Sequence, residues 1–299
     1  MTHGSSPAAE SAGGRHRRAL VVVLVLVASL VGVELAAGIW TRSLTLVADA
    51  GHMATDALGV SMALGAITAA ARAATHPSRT FGNYRWEVLA ALANAALLIG
   101  VSVFVAVTAV RRLADPPDVH AWPMLAVAVA GLAVTAVAFR LPHAGQRESL
   151  NVRGAYLEVL ADMIGQAGVI VAAVVILTTG WPYTDAVVAL ALSAFIAPRA
   201  ISLGREALRV LAQAAPASVD VAELSRELAA LDTVTGVHDL HVWTLTSGMD
   251  VASVHLVSSG DDARAVTTAA QRVLAGKGLE HATVQVDATD DAWGCQVEW

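Results

Sequence analysis

The stretch Ser43-Leu44-Thr45-Leu46-Val47-Ala48-Asp49-Ala50-Gly51-His52-Met53, followed by Asp56, decides how this chain is read. It lies in an apolar segment from about 44 to 70, yet it carries Asp49, His52 and Asp56. Spacings of three and four residues put all three on one face of a helix. A charged carboxylate near the centre of a bilayer costs roughly 2.5–3.5 kcal/mol on insertion scales. Several together would rival the net stability of a whole domain, roughly 5–15 kcal/mol. Such groups persist in an apolar helix only with partners or a function.

The surroundings make that helix a membrane span. The chain has 299 residues, 56% hydrophobic and only 15% charged, where a soluble domain carries about 25% charged residues. The deficit lies before about residue 210, and the remainder has ordinary soluble composition, which argues for a membrane domain followed by a soluble one. A crossing helix needs about 20 mostly apolar residues. Segments 19–40, 44–70, 88–110, 121–140, 155–178 and 183–204 qualify or nearly do; the sixth is weakest, interrupted by Asp185, Pro198 and Arg199. The run from Ala19 to Trp40 is long enough to read as a retained span rather than a cleaved signal peptide.

Arginine placement sets the expected orientation. One side collects Arg15, Arg17, Arg18, Arg72, Arg79, Arg85, Arg140, Arg147, Arg153, Arg199, Arg205 and Arg209, against Arg42, Arg111 and Arg112 on the other, so both termini are expected in the cytoplasm. The net charge of −6 gives no indication of nucleic-acid binding. The single cysteine, Cys295, rules out an intrachain disulfide and a Cys-based zinc cage.

The tail alternates short helices and strands. Val221, Leu224, Leu228 and Leu231 sit at helical spacing within Val219 to Leu231. Val237 to Leu245 and Val251 to Val257 read as strands around a Ser247-Gly248 turn. A helix over Asp261 to Ala275 and a strand around Thr283, Val284 and Val286 complete an αββαβ order. The expected fold is an all-α six-helix transmembrane domain plus a small cytoplasmic α+β domain of ferredoxin- or metallochaperone-like type. The expected division is a cytoplasmic tail 1–18, membrane domain 19–210, cytoplasmic domain 211–290 and C-terminal tail 291–299.

The fifth segment holds Glu158 and Asp162, again four apart. If its face meets that of the second, His52, Asp56, Glu158 and Asp162 surround one point. Four ligands of N/O type suit tetrahedral zinc; six-coordination would need added water, and all-oxygen ligation would favour manganese or magnesium. No arginine or lysine is expected at matching depth to neutralise the three carboxylates. Asp49 reads equally as an ion guide nearer the extracellular end, Glu34 as a packing or gating group, and Asn94 as interhelical glue. Gln166, one turn beyond Asp162, reads as a partner of the ligands or as packing.

These residues resemble the cation diffusion facilitator family of zinc transporters, of the bacterial zinc, cadmium and cobalt efflux type. The stretch quoted at the outset is similar to that family's second span. Asn151-Val152-Arg153-Gly154-Ala155-Tyr156 before Glu158 and Asp162 resembles the start of its fifth, and Thr80-Phe81-Gly82 with Arg85 and Glu87 its loop between spans two and three. His238-Asp239-Leu240-His241-Val242-Trp243 resembles part of its cytoplasmic domain. The resemblance covers about residues 15 to 290. It implies a multi-pass inner-membrane homodimer exchanging cytoplasmic Zn²⁺ for protons by alternating access, with His52, Asp56, Glu158 and Asp162 as the transport site. Glu158 stands where the common zinc pattern has histidine, which hardens the site and bears on zinc-over-cadmium selectivity. The resemblance also implies regulatory zinc at His238, His255 and Asp287, which read as well as ordinary surface residues; His241, His281 and Cys295 are further candidates. The metal site that some members have in the loop between spans two and three is expected to be absent or very weak here, where the loop offers His76, Arg79 and Asn83.

Zn²⁺ is thus expected as substrate and regulatory ion, with no organic cofactor. Cadmium, cobalt, iron or manganese efflux is the main alternative. An intramembrane hydrolase lacks the His-Glu-x-x-His motif, the pair Asp56 and Asp162 has no accompanying aspartyl-protease motif, and a non-transporting sensor would not need ligands deep in two spans. No enzymatic activity is expected.

Overall fold

A computed structural model describes residues 25, 27–72, 81, 84–140, 150–246 and 248–288, with side chains at 60, 63–72, 138–140 and 150–159 outside that description. Helices α1 (Val27–Thr41), α2 (Leu44–Arg72), α3 (Arg85–Arg112), α4 (Ala121–Arg140), α5 (Leu150–Thr179) and α6 (Thr184–Leu211) precede α7 (Val221–Ala229), β1 (Val234–Thr246), β2 (Met249–Ser258), α8 (Ala263–Gly276) and β3 (His281–Ala288). One compact unit is built from the described parts of Met1–Met62 and Ala93–Leu203, and a second from those of Ala63–Leu92 and Gly204–Trp299.

In the first unit the N-terminal half of α2 is enclosed on two sides. Leu46 packs with Ala37 of α1, Met124 and Ala128 of α4, and Val169, Ala172 and Ala173 of α5. Leu44 and Ala48 pack on the opposite side with Val105 and Ala109 of α3 and Ala186 and Ala189 of α6. The many alanines let helix backbones approach closely where lipid supplies no hydrophobic drive. The large apolar side chains Trp40, Phe104, Trp122 and Phe195 are exposed on the outside, the inverse of a water-soluble surface. Among the described residues, helices Arg85–Ala114, Leu160–Thr179 and Thr184–Leu211 are long and apolar enough to cross a membrane, and Val27–Thr41 and Ala121–Val137 are shorter apolar helices.

The sixth apolar segment, weakest in sequence, is one continuous helix through Pro198. Asp185 occupies its first turn and is buried. From there it supports another helix: its carboxylate accepts hydrogen bonds from Ser43 Oγ and the backbone N–H groups of Leu44 and Thr45. These backbone donors open α2 and have no partner within it.

In the second unit the αββαβ order forms a three-stranded sheet, β1-β2-β3. β1 and β2 are antiparallel across a tight turn where Gly248 takes φ +74°, the conformation that such hairpins demand and glycine supplies. β3 runs parallel to β2, which requires the crossover that α8 provides. Val254 and Leu256 of β2 are buried with Leu224 and Leu228 of α7 and Val266, Ala270 and Leu274 of α8. Asp220 caps α7 by accepting from the N–H groups of Ala222 and Glu223. Glu87, at the start of α3, accepts the Thr246 hydroxyl at 2.8 Å.

Candidate metal sites

The close packing of α2 brings the expected ligands together in the first unit. His52 Nε2 lies 3.4 Å from Asp56 Oδ2 and 3.8 Å from Asp162 Oδ1. One ligand atom from each of His52, Asp56 and Asp162 falls within 4.8 Å of the others. His52 and Asp56 meet because they are one turn apart on α2; Asp162 arrives from α5, which packs with α2 through Leu46 and Val169. Thr55 donates its hydroxyl to the His52 carbonyl at 2.7 Å. Beside His52 is a small cavity lined by Ala48, Leu98, Val101, Ser102, Val105, Ser193 and Ile196.

Glu158 lies on α5 one turn before Asp162, and its side chain falls outside the described residues. Asp49 does not join the group: a Cβ built on Gly165 would collide with its carboxylate, so that carboxylate lies directly against the α5 backbone. Arg199 of α6 is near enough to Asp56 for its charge to act there. Arg199 belongs to α6, whose unbroken course through Pro198 the sequence pattern obscured.

In the second unit, sheet register explains the other cluster. His238 pairs directly with His255 across β1 and β2, and their rings meet edge-on at 5.4 Å between centroids. Asp287 pairs with Val257, two positions beyond His255, so it lies diagonally on the same sheet face. The three offer ligand atoms within 4.8 Å of one another. Gln285 Nε2 donates to both Asp287 oxygens, at 2.9 and 3.3 Å. Among the described residues, His241 and His281 stand outside that trio. Cys295, His76, Arg79 and Asn83 lie outside the described residues.

Sequence reasoning missed Asp239. The β1–β2 register shifts between His238 and His241, and at that bulge Asp239 takes φ +50°. Its Oδ2 then reaches both histidines, 3.6 Å from His238 Nδ1 and 3.8 Å from His255 Nδ1. Aspartate tolerates this left-handed conformation better than most residues. The adjacent His-Asp pair was visible; the bulge that re-aims the carboxylate was not.

Both clusters offer imidazole and carboxylate ligands, the set that zinc and neighbouring divalent metals take. The comparisons agree in kind. Residues 20–212 match the cation efflux transmembrane domain, and 216–289 match the cytoplasmic domain of cation efflux proteins. The metal cation efflux system protein CzcD of Cupriavidus metallidurans is 39% identical over 92% of this chain and 87% of its own length. A cadmium, cobalt and zinc/H(+)-K(+) antiporter of Bacillus velezensis is 32% identical over 92% and 90%. Zinc transporter ZitB of Escherichia coli is 35% identical over 90% and 87%.

Proposed function

This chain belongs to the cation efflux family, whose members here are transporters and not enzymes, and on that footing we propose that it exports Zn²⁺ from the cytoplasm in exchange for protons by alternating access. His52, Asp56, Glu158 and Asp162 hold the ion during transport. The observation that carries this reading is the meeting of buried His52 and Asp162 with half-buried Asp56, from two apolar helices. Ligands bind metal only when deprotonated, so metal binding expels protons and protonation expels metal; imidazole is the ligand type whose unperturbed pKa lies nearest physiological pH. Zinc is the favoured cargo because an imidazole stands among the oxygens. The names of the relatives, which include cadmium and cobalt, support a wider range with zinc at its centre.

The rest of the assembly follows the same reading. Residues 19–210 form a six-span domain in the inner membrane with both termini in the cytoplasm, and 211–290 form a cytoplasmic domain of ferredoxin-like type. Two chains pair, as the match to the dimerising cytoplasmic domain supports. Zn²⁺ at His238, His255 and Asp287 biases that pair toward one state, coupling cytoplasmic zinc to transport rate.

Purified protein in liposomes, with a pH gradient and zinc, cadmium, cobalt and manganese offered in turn, tests the proposal. Zinc flux that collapses with the gradient is expected. Flux indifferent to the gradient would remove the exchange, and manganese outpacing zinc would remove the assignment of cargo.

A further inference from the structure

Three buried polar residues of the first unit have no part in the metal group. Glu34 on α1, Asp49 on α2 and Gln166 on α5 are 0%, 2% and 0% exposed. Gln166 Nε2 donates to Glu34 Oε1 at 3.4 Å and also faces Met53 Sδ at 3.9 Å. Glu34 Oε2, Asp49 Oδ2 and Gln166 Oε1 then have no hydrogen-bond partner among the described residues. All are acceptors, and buried acceptors without a donor are strongly unfavourable, more so when charged. The cluster is short of hydrogens and tightly packed. A Cβ at Gly131 of α4 would stand 2.6 Å from Glu34 Oε1 and 3.2 Å from Gln166 Nε2, and one at Gly165 would collide with Asp49 Oδ1. Both carboxylates therefore pack straight onto helix backbones.

We propose that Glu34 and Asp49, with the Gln166 amide beside them, form a proton-binding site in the transmembrane core, separate from the metal group. A proton needs no volume, and it turns one acceptor oxygen into a donor for its neighbours. It also relieves repulsion, since the Glu34 and Asp162 charges both act on Asp49. Among the described residues, Glu34 of α1 meets Gln166 of α5 and Gly131 of α4, Asp49 of α2 meets Gly165 of α5, and Glu34 and Asp162 are the charged groups that act on Asp49. Glu34 sits on a helix that carries none of the proposed ligands, and Asp49 is three residues from His52. The site thus adds a counter-ion position to the exchange proposed above, and it rests on that reading.

The test combines flux with spectroscopy on the full chain. In liposomes, E34Q and D49N are expected to release roughly one proton fewer per Zn²⁺ than wild type, with zinc affinity unchanged, because each keeps every metal ligand. Infrared spectra of wild type at neutral pH are expected to contain a protonated carboxyl band that E34Q lacks and that Q166L, missing the amide donor, shifts. If wild type itself moves no protons, the exchange reading fails, and the infrared band still decides this site. Unchanged proton stoichiometry in both variants, loss of zinc binding in either, dependence on K⁺ in place of protons, or a wild-type spectrum without the band overturns it. Should the variants not fold, the presence or absence of the wild-type band alone decides for or against the site.

Discussion

The carboxylate of Asp185, in the first turn of α6, accepts the backbone N–H of Leu44 at 2.7 Å. Arg112 Nη1 lies 3.2 Å from the same oxygen and donates to the Arg42 carbonyl at 2.6 Å. One acidic residue therefore caps α2, joins it to α3 and α6, and sets where His52 and Asp56 stand. Truncating one partner of a buried ion pair costs about 3–5 kcal/mol, so Asp185→Ala should lower the unfolding temperature in detergent and reduce transport with it. Asp185→Asn, which keeps an acceptor oxygen for the cap, should fall between. Wild-type stability in Asp185→Ala would show that α2 is held by packing alone.

Asp162→Ala removes the α5 carboxylate that meets His52 and Asp56. It should abolish zinc-driven flux while leaving the unfolding temperature close to wild type, since the helix packing through Val169 and Ala172 is untouched. Flux measured beside thermal unfolding separates the two effects. A fully active Asp162→Ala would take this residue out of the pathway.

Glu158→His exchanges a carboxylate for an imidazole on α5, removing one negative charge and adding a nitrogen ligand of the kind that suits zinc. Zinc should then be favoured over cadmium more strongly than in wild type, read as the ratio of initial transport rates. An unchanged ratio would mean that Glu158 does not touch the ion.

Asp239 reaches both His238 and His255 from its bulge. Groups that orient metal-binding histidines are commonly worth about 10–100-fold in affinity, and Asp239→Ala should weaken zinc binding at the cytoplasmic cluster by that factor. Titration in a chain also carrying His52→Ala and Asp162→Ala isolates the effect. Equal affinity with and without Asp239 would make its approach to the histidines incidental.

Zinc affinity at either cluster should fall as pH falls, because imidazole and carboxylate bind metal only when deprotonated. Isothermal titration from neutral to mildly acidic pH reads this directly, with proton release visible as a dependence on buffer ionisation enthalpy. Affinity that holds constant across that range would contradict an imidazole in the ligand set.

Much of this was legible in the chain. Apolar length marked the helices, and alternation marked β2, where Val254 and Leu256 face the helices and His255 does not. The i, i+4 pair His52 and Asp56 announced a shared helix face. What stayed hidden depended on tertiary approach. Asp185 looked like an interruption because its donors, Ser43, Leu44 and Thr45, lie about 140 positions earlier in the chain. Asp239 was hidden by a bulge, which periodicity cannot express. Glu34 reads as a packing or gating group and Gln166 as a ligand partner or packing; the closeness of both to Gly131, and of Asp49 to Gly165, appears only in the packed helices.

A zinc ion held by one imidazole and carboxylates within the membrane should be visible by X-ray absorption at the zinc edge, on the chain with His238, His255 and Asp287 replaced by alanine. Bound zinc with four N/O ligands at roughly 2.0–2.2 Å and a single imidazole is expected, lost on Asp162→Ala. Two or more imidazoles, an all-oxygen six-coordinate shell, or zinc that survives Asp162→Ala would contradict it.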